Sequence, residues 1–469
     1  MKQYISIKAF FCLCLLAFIF IVPGCKKQEY IKTSAIKPEK RIEEFRLSNA
    51  SFPAIIKLYN DTVYILDIDF TREAGQQLII EEGTLIKAGV RSISNLGSSN
   101  PSKGSIVINP GGILIANGTR NQPIIFTSNV LKSTQSVNWG GITILGKSTN
   151  NDVANPVNVD VTDFSGSLNF CRIEFAPLTL RGVGSSTIIE NVMVSYTMRN
   201  GVSAYNIYGG TFNAKNLISY ACAGPADYYI TNGYTGKMQN VLAYRNPFFG
   251  ETGTTPQNAL CGIFFENNPF NPTVAKPFTF PTISNLTVIG PNNRDGSTPQ
   301  YGSATTRAAA IITTGSACFN LSNSLFMGFP KACWVLDDAN TASAVQSRVN
   351  VISYSIFQAM DTSRVFDLEP GSYPPYSSYD FRNFVLAPAL KNQVFLSVGD
   401  FSFTDIFNYN NPGLLPKENS VVLTGANFQG IYTDAFFTPS PNLGAFGKDE
   451  WYKEWANFTP LKTNYNFPE

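Results

Sequence analysis

The sequence has no histidine among its 469 residues. That absence removes histidine-based triads, imidazole general bases and imidazole metal ligands together. Carboxylate, lysine, arginine or tyrosine chemistry is what remains. Charge is also scarce. Charged residues make up 14% of the chain and the formal net charge is +2, so neither nucleic acid nor a strongly acidic surface is implied as a partner. No two cysteines show the C-x-x-C spacing of a zinc or redox site. Beyond the amino-terminal segment there is no long helical period, and helix-favouring charged stretches are few.

What is present begins with that segment. Lys2 and Lys8 precede an apolar run from Ala9 to Val22, which ends in Val22-Pro23-Gly24-Cys25. The run is short for a membrane span and has the layout of a secretory signal. Its end resembles a bacterial lipobox, in which the cysteine is lipidated and becomes the mature amino terminus. Residues 1–24 are therefore expected to be a lipoprotein signal peptide, with Cys25 as the lipidation site that joins the chain to a membrane. Residues 25–50 read as a solvated tether, since Lys26 to Glu44 is charged and poor in aliphatics. The five cysteines that follow (Cys171, Cys222, Cys261, Cys318 and Cys333) are an odd set. They read as small buried residues of a core, with a Cys318–Cys333 bridge left open.

Apolar residues, 44% of the chain, come in short runs separated by Gly, Asn, Pro and Ser. That is the pattern of many short strands. One phrase occurs twice: Ile80-Glu-Glu-Gly83-Thr-Leu85-Ile86-Lys-Ala88 and Ile108-Asn-Pro-Gly111-Gly-Ile113-Leu114-Ile-Ala116. Each reads as a strand, a glycine corner and a second strand. A second repeat sets an asparagine inside an apolar run, at Asn191, Asn216, Asn240, Asn285 and Asn323, with Arg172 and Tyr354 fitted to the same position. Asn191 and Asn216 lie 25 residues apart, and Asn216 and Asn240 lie 24 apart. Strands repeating at such intervals point to a parallel β-helix, in which no coil buries its apolar face alone. Asparagine suits a corner because it tolerates a left-handed backbone, and stacked carboxamides can bond along a ladder. The expected fold is all-β: a single right-handed parallel β-helix over residues 51–365. Residues 366–469 are expected to supply the last irregular rungs and a carboxy-terminal cap.

The phrases "PIIFTS", "WGGITILG" and "CRIEFA", with the two glycine corners and the ending "NLGAFGKDEWYKEWANFTP", carry a resemblance. The chain resembles right-handed β-helices of the pectin-lyase-like kind. More narrowly, it resembles the β-helical surface lipoproteins common in Bacteroidota-type bacteria. That resemblance implies an outer-membrane lipoprotein, at the cell surface or on the periplasmic face. It does not imply one activity, because the fold hosts several.

Hydrolases of the resembled kind carry an Asn-Thr-Asp segment, an Asp-Asp pair, a Gly-His-Gly segment and an Arg-Ile-Lys segment. Asp337-Asp338 supplies a pair without its companions, and adjacent strand residues face opposite sides. The resembled lyases hold calcium with acidic residues from neighbouring rungs. From Gly166 to Pro330 the acidic residues are Glu174, Glu190, Asp227, Glu251, Glu266 and Asp295, and none repeats at rung spacing with another. No catalytic residue, metal or cofactor is therefore assigned. Arg172, Arg181, Arg199, Lys215, Lys237 and Arg245 either keep the faces soluble or attract an anionic glycan. The richest binding candidate is the run from Tyr196 to Phe249, where Tyr, Asn, Arg and Gly alternate. Repeat phase gathers Arg199, Tyr205, Asp227, Tyr228 and Arg245 as candidates for contact with a polysaccharide. Trp451 and Trp455 read as cap packing. The functional expectation is a non-catalytic binding face for a glycan or an envelope protein. Its rivals are a polysaccharide lyase or hydrolase and an accessory subunit of an outer-membrane complex. A one-residue error of phase would exchange inside for outside.

Overall fold

A computed structural model describes residues 44–46, 53–89, 104–129, 139–152, 159–197, 202–247, 261–292, 309–369 and 375–465. They belong to one compact unit, Ile42–Glu469. The signal segment, Cys25 and all of the tether but residues 44–46 lie outside the described residues.

The early strands alternate as the sequence does. In Gln77–Ile80, Leu78 and Ile80 are buried while Gln77 and Ile79 face outward. Each strand then pairs in parallel with the strand one coil away. Ile113–Asn117 lies on Gln77–Ile80, Ile124–Ser128 on Leu85–Ala88, and Gly141–Leu145 on Ser105–Ile108. Three faces per coil, stacked in this way, make a right-handed parallel β-helix, and the interior is one continuous apolar column. The third face is a ten-stranded sheet that runs from Asp69–Arg72 to Phe366–Leu368. The first and second faces merge in the middle coils into single bent strands such as Ile188–Ser195, Asn213–Tyr220 and Lys237–Tyr244.

The bends in those strands are the asparagines. Asn191, Asn216, Asn240, Asn285 and Asn323 all have φ between 51° and 57°. Asn216 Nδ2 donates to Asn191 Oδ1 and Asn240 Nδ2 to Asn216 Oδ1, each at 3.0 Å, and Asn191 Nδ2 donates to Asn169 Oδ1 at 2.9 Å. The repeat is thus a left-handed corner stabilised by a carboxamide ladder. Tyr354 (φ 48°) occupies the same corner. Arg172 does not. Register pairs Asn169 with Glu190 and Cys171 with Val192, so Phe170 (φ 47°) stands opposite Asn191. The doubled glycine phrase also differs from a rung repeat. Gly83 (φ 75°) turns the first face into the second, whereas Gly111 (φ 88°) turns the third face into the first. Leu85 accordingly pairs with Ile125 and not with Ile113.

The carboxy-terminal region does two things. The helix Ser378–Val385 begins at a Ser377/Asp380 capping box. It packs Phe381 against Trp334 and Phe366, at ring separations of 5.0 and 5.7 Å, on the interior of the last coils. Residues 400–465 then run back along the outside of the first and second faces as a strap. Gly444 N donates to the Asn323 carbonyl at 2.7 Å, Ala445 N to Thr287 Oγ1 at 2.9 Å, and Asn457 N to Met193 Sδ at 3.3 Å. Trp455 is fully buried and meets Phe170 edge-on at 5.9 Å. Trp451 and Trp455 are therefore packing residues of this strap. All five described cysteines are free thiols, and only Cys318 has appreciable exposure.

Candidate functional site

Of the five residues expected to meet a glycan, Arg199 lies outside the described residues. The other four are inside the solenoid. Tyr205 and Tyr228 stack on each other at 4.7 Å with an 11° interplanar angle, and neither has exposed surface. Their hydroxyls donate to the carbonyls of Val192 and Leu242. Asp227 and Arg245 form a buried ion pair, Nε to Oδ2 at 2.8 Å, and both side chains are wholly unexposed. Arg245 Nη1 also donates to the carbonyls of Cys222 and Gly224, and Nη2 donates to that of Cys261. Ser219 Oγ donates to Asp227 Oδ1 at 2.6 Å. Burial pushes the Asp227 carboxyl up, against the pull of Arg245. These groups tie a corner together and present nothing to a ligand, so their assignment to a glycan surface is corrected.

The outward residues of the third face sit one step away in phase. Tyr229, next to buried Tyr228, points out of the sheet, and so does Tyr208. The pairings Asn206–Tyr229 and Tyr229–Phe264 put Tyr208, Tyr229 and Phe264 on three successive coils. The Tyr208 and Tyr229 rings lie 5.8 Å apart, edge to face, and the Tyr229 and Phe264 rings lie 5.5 Å apart. All three are partly exposed. Next along the column Ile312 and Val335 are buried, so Phe264 ends the accessible row.

Charge marks both ends of this row. Arg181 stands over the Tyr208 ring at 5.6 Å and pairs with Asp152. The other Asp152 oxygen, Oδ1, is buried without a hydrogen-bond partner among the described residues. At the far end, Tyr229 OH donates to Glu266 Oε2 at 2.6 Å. Burial raises the pKa of the Glu266 carboxyl, and the charge of Asp337 adds to the rise. Burial likewise raises both phenols, so Tyr208 and Tyr229 stay protonated at neutral pH.

The remaining sequence candidates are engaged elsewhere. Asp338 caps the helix Ala339–Gln346 by accepting from Asn340 N and Thr341 N. Lys237 pairs with Asp434 at 2.5 Å, and Lys215 Nζ donates to Thr438 Oγ1 at 3.0 Å. Those two cations hold the strap. Arg172 lies beside Glu174, which accepts from Thr127 Oγ1 and Tyr465 OH. Among the described residues no group of three or more Cys, Asp or Glu is placed to hold a metal ion.

The family model for the pectate-lyase-like β-helix domain matches residues 51–369. The chain belongs to this family. No curated protein and no solved structure matches it. Membership accounts for the coiled parallel sheets. It does not select a chemistry, since function in such folds resides in particular side chains.

Proposed function

We propose that this β-helix is an envelope protein, tethered through a lipidated Cys25, that holds a glycan on its third face without cleaving it. The observation that carries the reading is the row Tyr208, Tyr229 and Phe264, partly exposed on successive coils and flanked by Arg181 and Glu266. Successive strands are about 4.8 Å apart, so the rings form a platform along the solenoid axis. Aromatic faces cover sugar C–H groups, while the charged ends meet hydroxyls or carboxylates. The tether is supported by the lipobox-like Val22-Pro23-Gly24-Cys25.

A hydrolytic reading has one observation in its favour. Glu266 is a carboxyl raised by burial, and Asp337 acts on it from two coils away. That offset corresponds to about 10 Å of backbone, near the separation of an inverting pair.

Affinity electrophoresis in gels cast with neutral and acidic polysaccharides separates these readings, when the gels are afterwards stained for polymer loss. Retardation without clearing supports the binding face. Clearing makes the protein an enzyme. Free migration in every gel removes the glycan and moves the weight to a protein partner in the outer membrane.

A further inference from the structure

A cleft lies on a different face of the coil from the aromatic row. It has a volume of about 330 Å³ and opens between the last coils of the first face and strap residues 427–432. The strap is fixed there. Asn427 N donates to Asn323 Oδ1 at 2.8 Å, and Asn323 Nδ2 returns a bond to the Asn427 carbonyl at 3.0 Å. The cleft is lined by Asn320, Ser322, Ser353, Tyr354, Gln429 and Tyr432, with aliphatic surface from Val351 and Ile431. None of its lining residues carries a charge.

Its polar groups are under-used. Ser322 and Ser353 bond each other at 3.2 Å. The carboxamides of Asn320 and Gln429 and the hydroxyl of Tyr354 have no partner among the described residues. Tyr432 is 7% exposed, and its hydroxyl is buried with no hydrogen-bond partner among the described residues. A buried polar atom left unpaired is costly and uncommon in a folded protein. Burial also raises the Tyr432 pKa, so the phenol is a neutral donor and acceptor.

Tyr354 adds an independent sign. It occupies the left-handed corner that Asn240, Asn285 and Asn323 occupy in earlier coils. A bulky side chain there is strained, and such strain clusters at binding sites. Phe170 takes the same corner at the other end of the ladder, but its ring is covered by Trp455 at 5.9 Å. The Tyr354 ring has no ring partner among the described residues and lines the cleft instead.

We propose that this cleft is a subsite for a neutral sugar unit. The Tyr354 ring and two aliphatic side chains cover C–H faces. Carboxamides and hydroxyls answer the sugar hydroxyls, and the missing charge disfavours uronates. The volume is at the small end of ligand pockets, which suits a mono- or disaccharide unit better than a long chain. The site is separate from the third face and does not depend on the reading given for it.

The test is saturation-transfer NMR on the full chain in mild detergent. The probes are maltose, cellobiose, lactose and N,N′-diacetylchitobiose, with glucuronic acid as the charged control. At least one neutral disaccharide should show transfer, and glucuronic acid should show none. Tyr354→Asn should weaken that binding about tenfold while keeping or raising the unfolding midpoint, because asparagine suits the corner. Phe270→Ala, at an exposed residue of neither site, should leave it unchanged. The proposal is overturned if no neutral disaccharide shows transfer, or if Tyr354→Asn binds as the native chain does.

Discussion

Replacing Arg245 by Met should be among the most damaging single changes in this protein. The guanidinium has no exposed surface and neutralises Asp227, which is equally buried. Nη1 and Nη2 also satisfy the carbonyls of Cys222, Gly224 and Cys261. Methionine keeps the apolar stem but leaves a carboxylate without its cation and three carbonyls short of a donor. Breaking a buried pair from one side costs about 3–5 kcal/mol. Asp227→Asn leaves the opposite charge uncompensated but spares the carbonyl bonds, so about 3 kcal/mol is expected at neutral pH. The double variant should lose about 1–3 kcal/mol less than the sum of the two single variants, because the groups form one network. Denaturant unfolding with linear extrapolation measures all four proteins. A loss below about 1 kcal/mol for Arg245→Met, the level of an exposed ion pair, would refute the reasoning, as would strict additivity.

Other consequences follow from the same geometry. Asn216 both donates to and accepts from its ladder neighbours at φ 56°. Asn216→Ala should therefore cost about 2–4 kcal/mol by denaturation, and Asn216→Gly about 1 kcal/mol less, since glycine removes the bonds but not the corner. Trp455→Ala should cost about 3–5 kcal/mol and make residues 400–465 open to limited proteolysis before the coils. The Glu266 carboxyl has a pKa raised in the fold above its ordinary 4.5. Its contribution to stability is complete below that value and is lost as pH rises through the folded pKa. Unfolding midpoints of the native chain should carry that loss above pH 4.5, and Glu266→Gln should flatten it; identical pH profiles would remove the argument.

The architecture was legible because its signals are local. A glycine or asparagine at a corner needs a left-handed backbone whatever packs around it, so Gly83, Gly111 and the asparagines could be read one at a time. The side of the wall on which a residue lies was not legible. Tyr228 and Tyr229 are neighbours of the same type, and the alternation of the strand puts the first inside and the second outside, a phase that a one-residue error reverses. Within the run Tyr196–Phe249, "NIYGG" and "ADYYIT" hold the outward residues Tyr208 and Tyr229. Their company of Gly, Thr and Asn is the same as that of the buried tyrosines. Arg245 and Asp227 misled for another reason. A charged pair in a soluble-looking run reads as surface, and its burial depends on three carbonyls brought together by the coiling. The strap was equally hidden, since Pro- and Asn-rich irregular sequence has no period from which its path along the coils can be read.

The central claim is that a glycan meets the outward tyrosines of the third face while the inward ones only hold the wall. Retention on polysaccharide should therefore be compared between Tyr229→Ala and Tyr228→Phe. The account predicts that Tyr229→Ala weakens retention about tenfold in a protein that is still folded. Tyr228→Phe, which loses the 2.9 Å bond to the Leu242 carbonyl, should lower the midpoint and leave retention intact. Native retention by Tyr229→Ala, or weakened retention by a still-folded Tyr228→Phe, would contradict it.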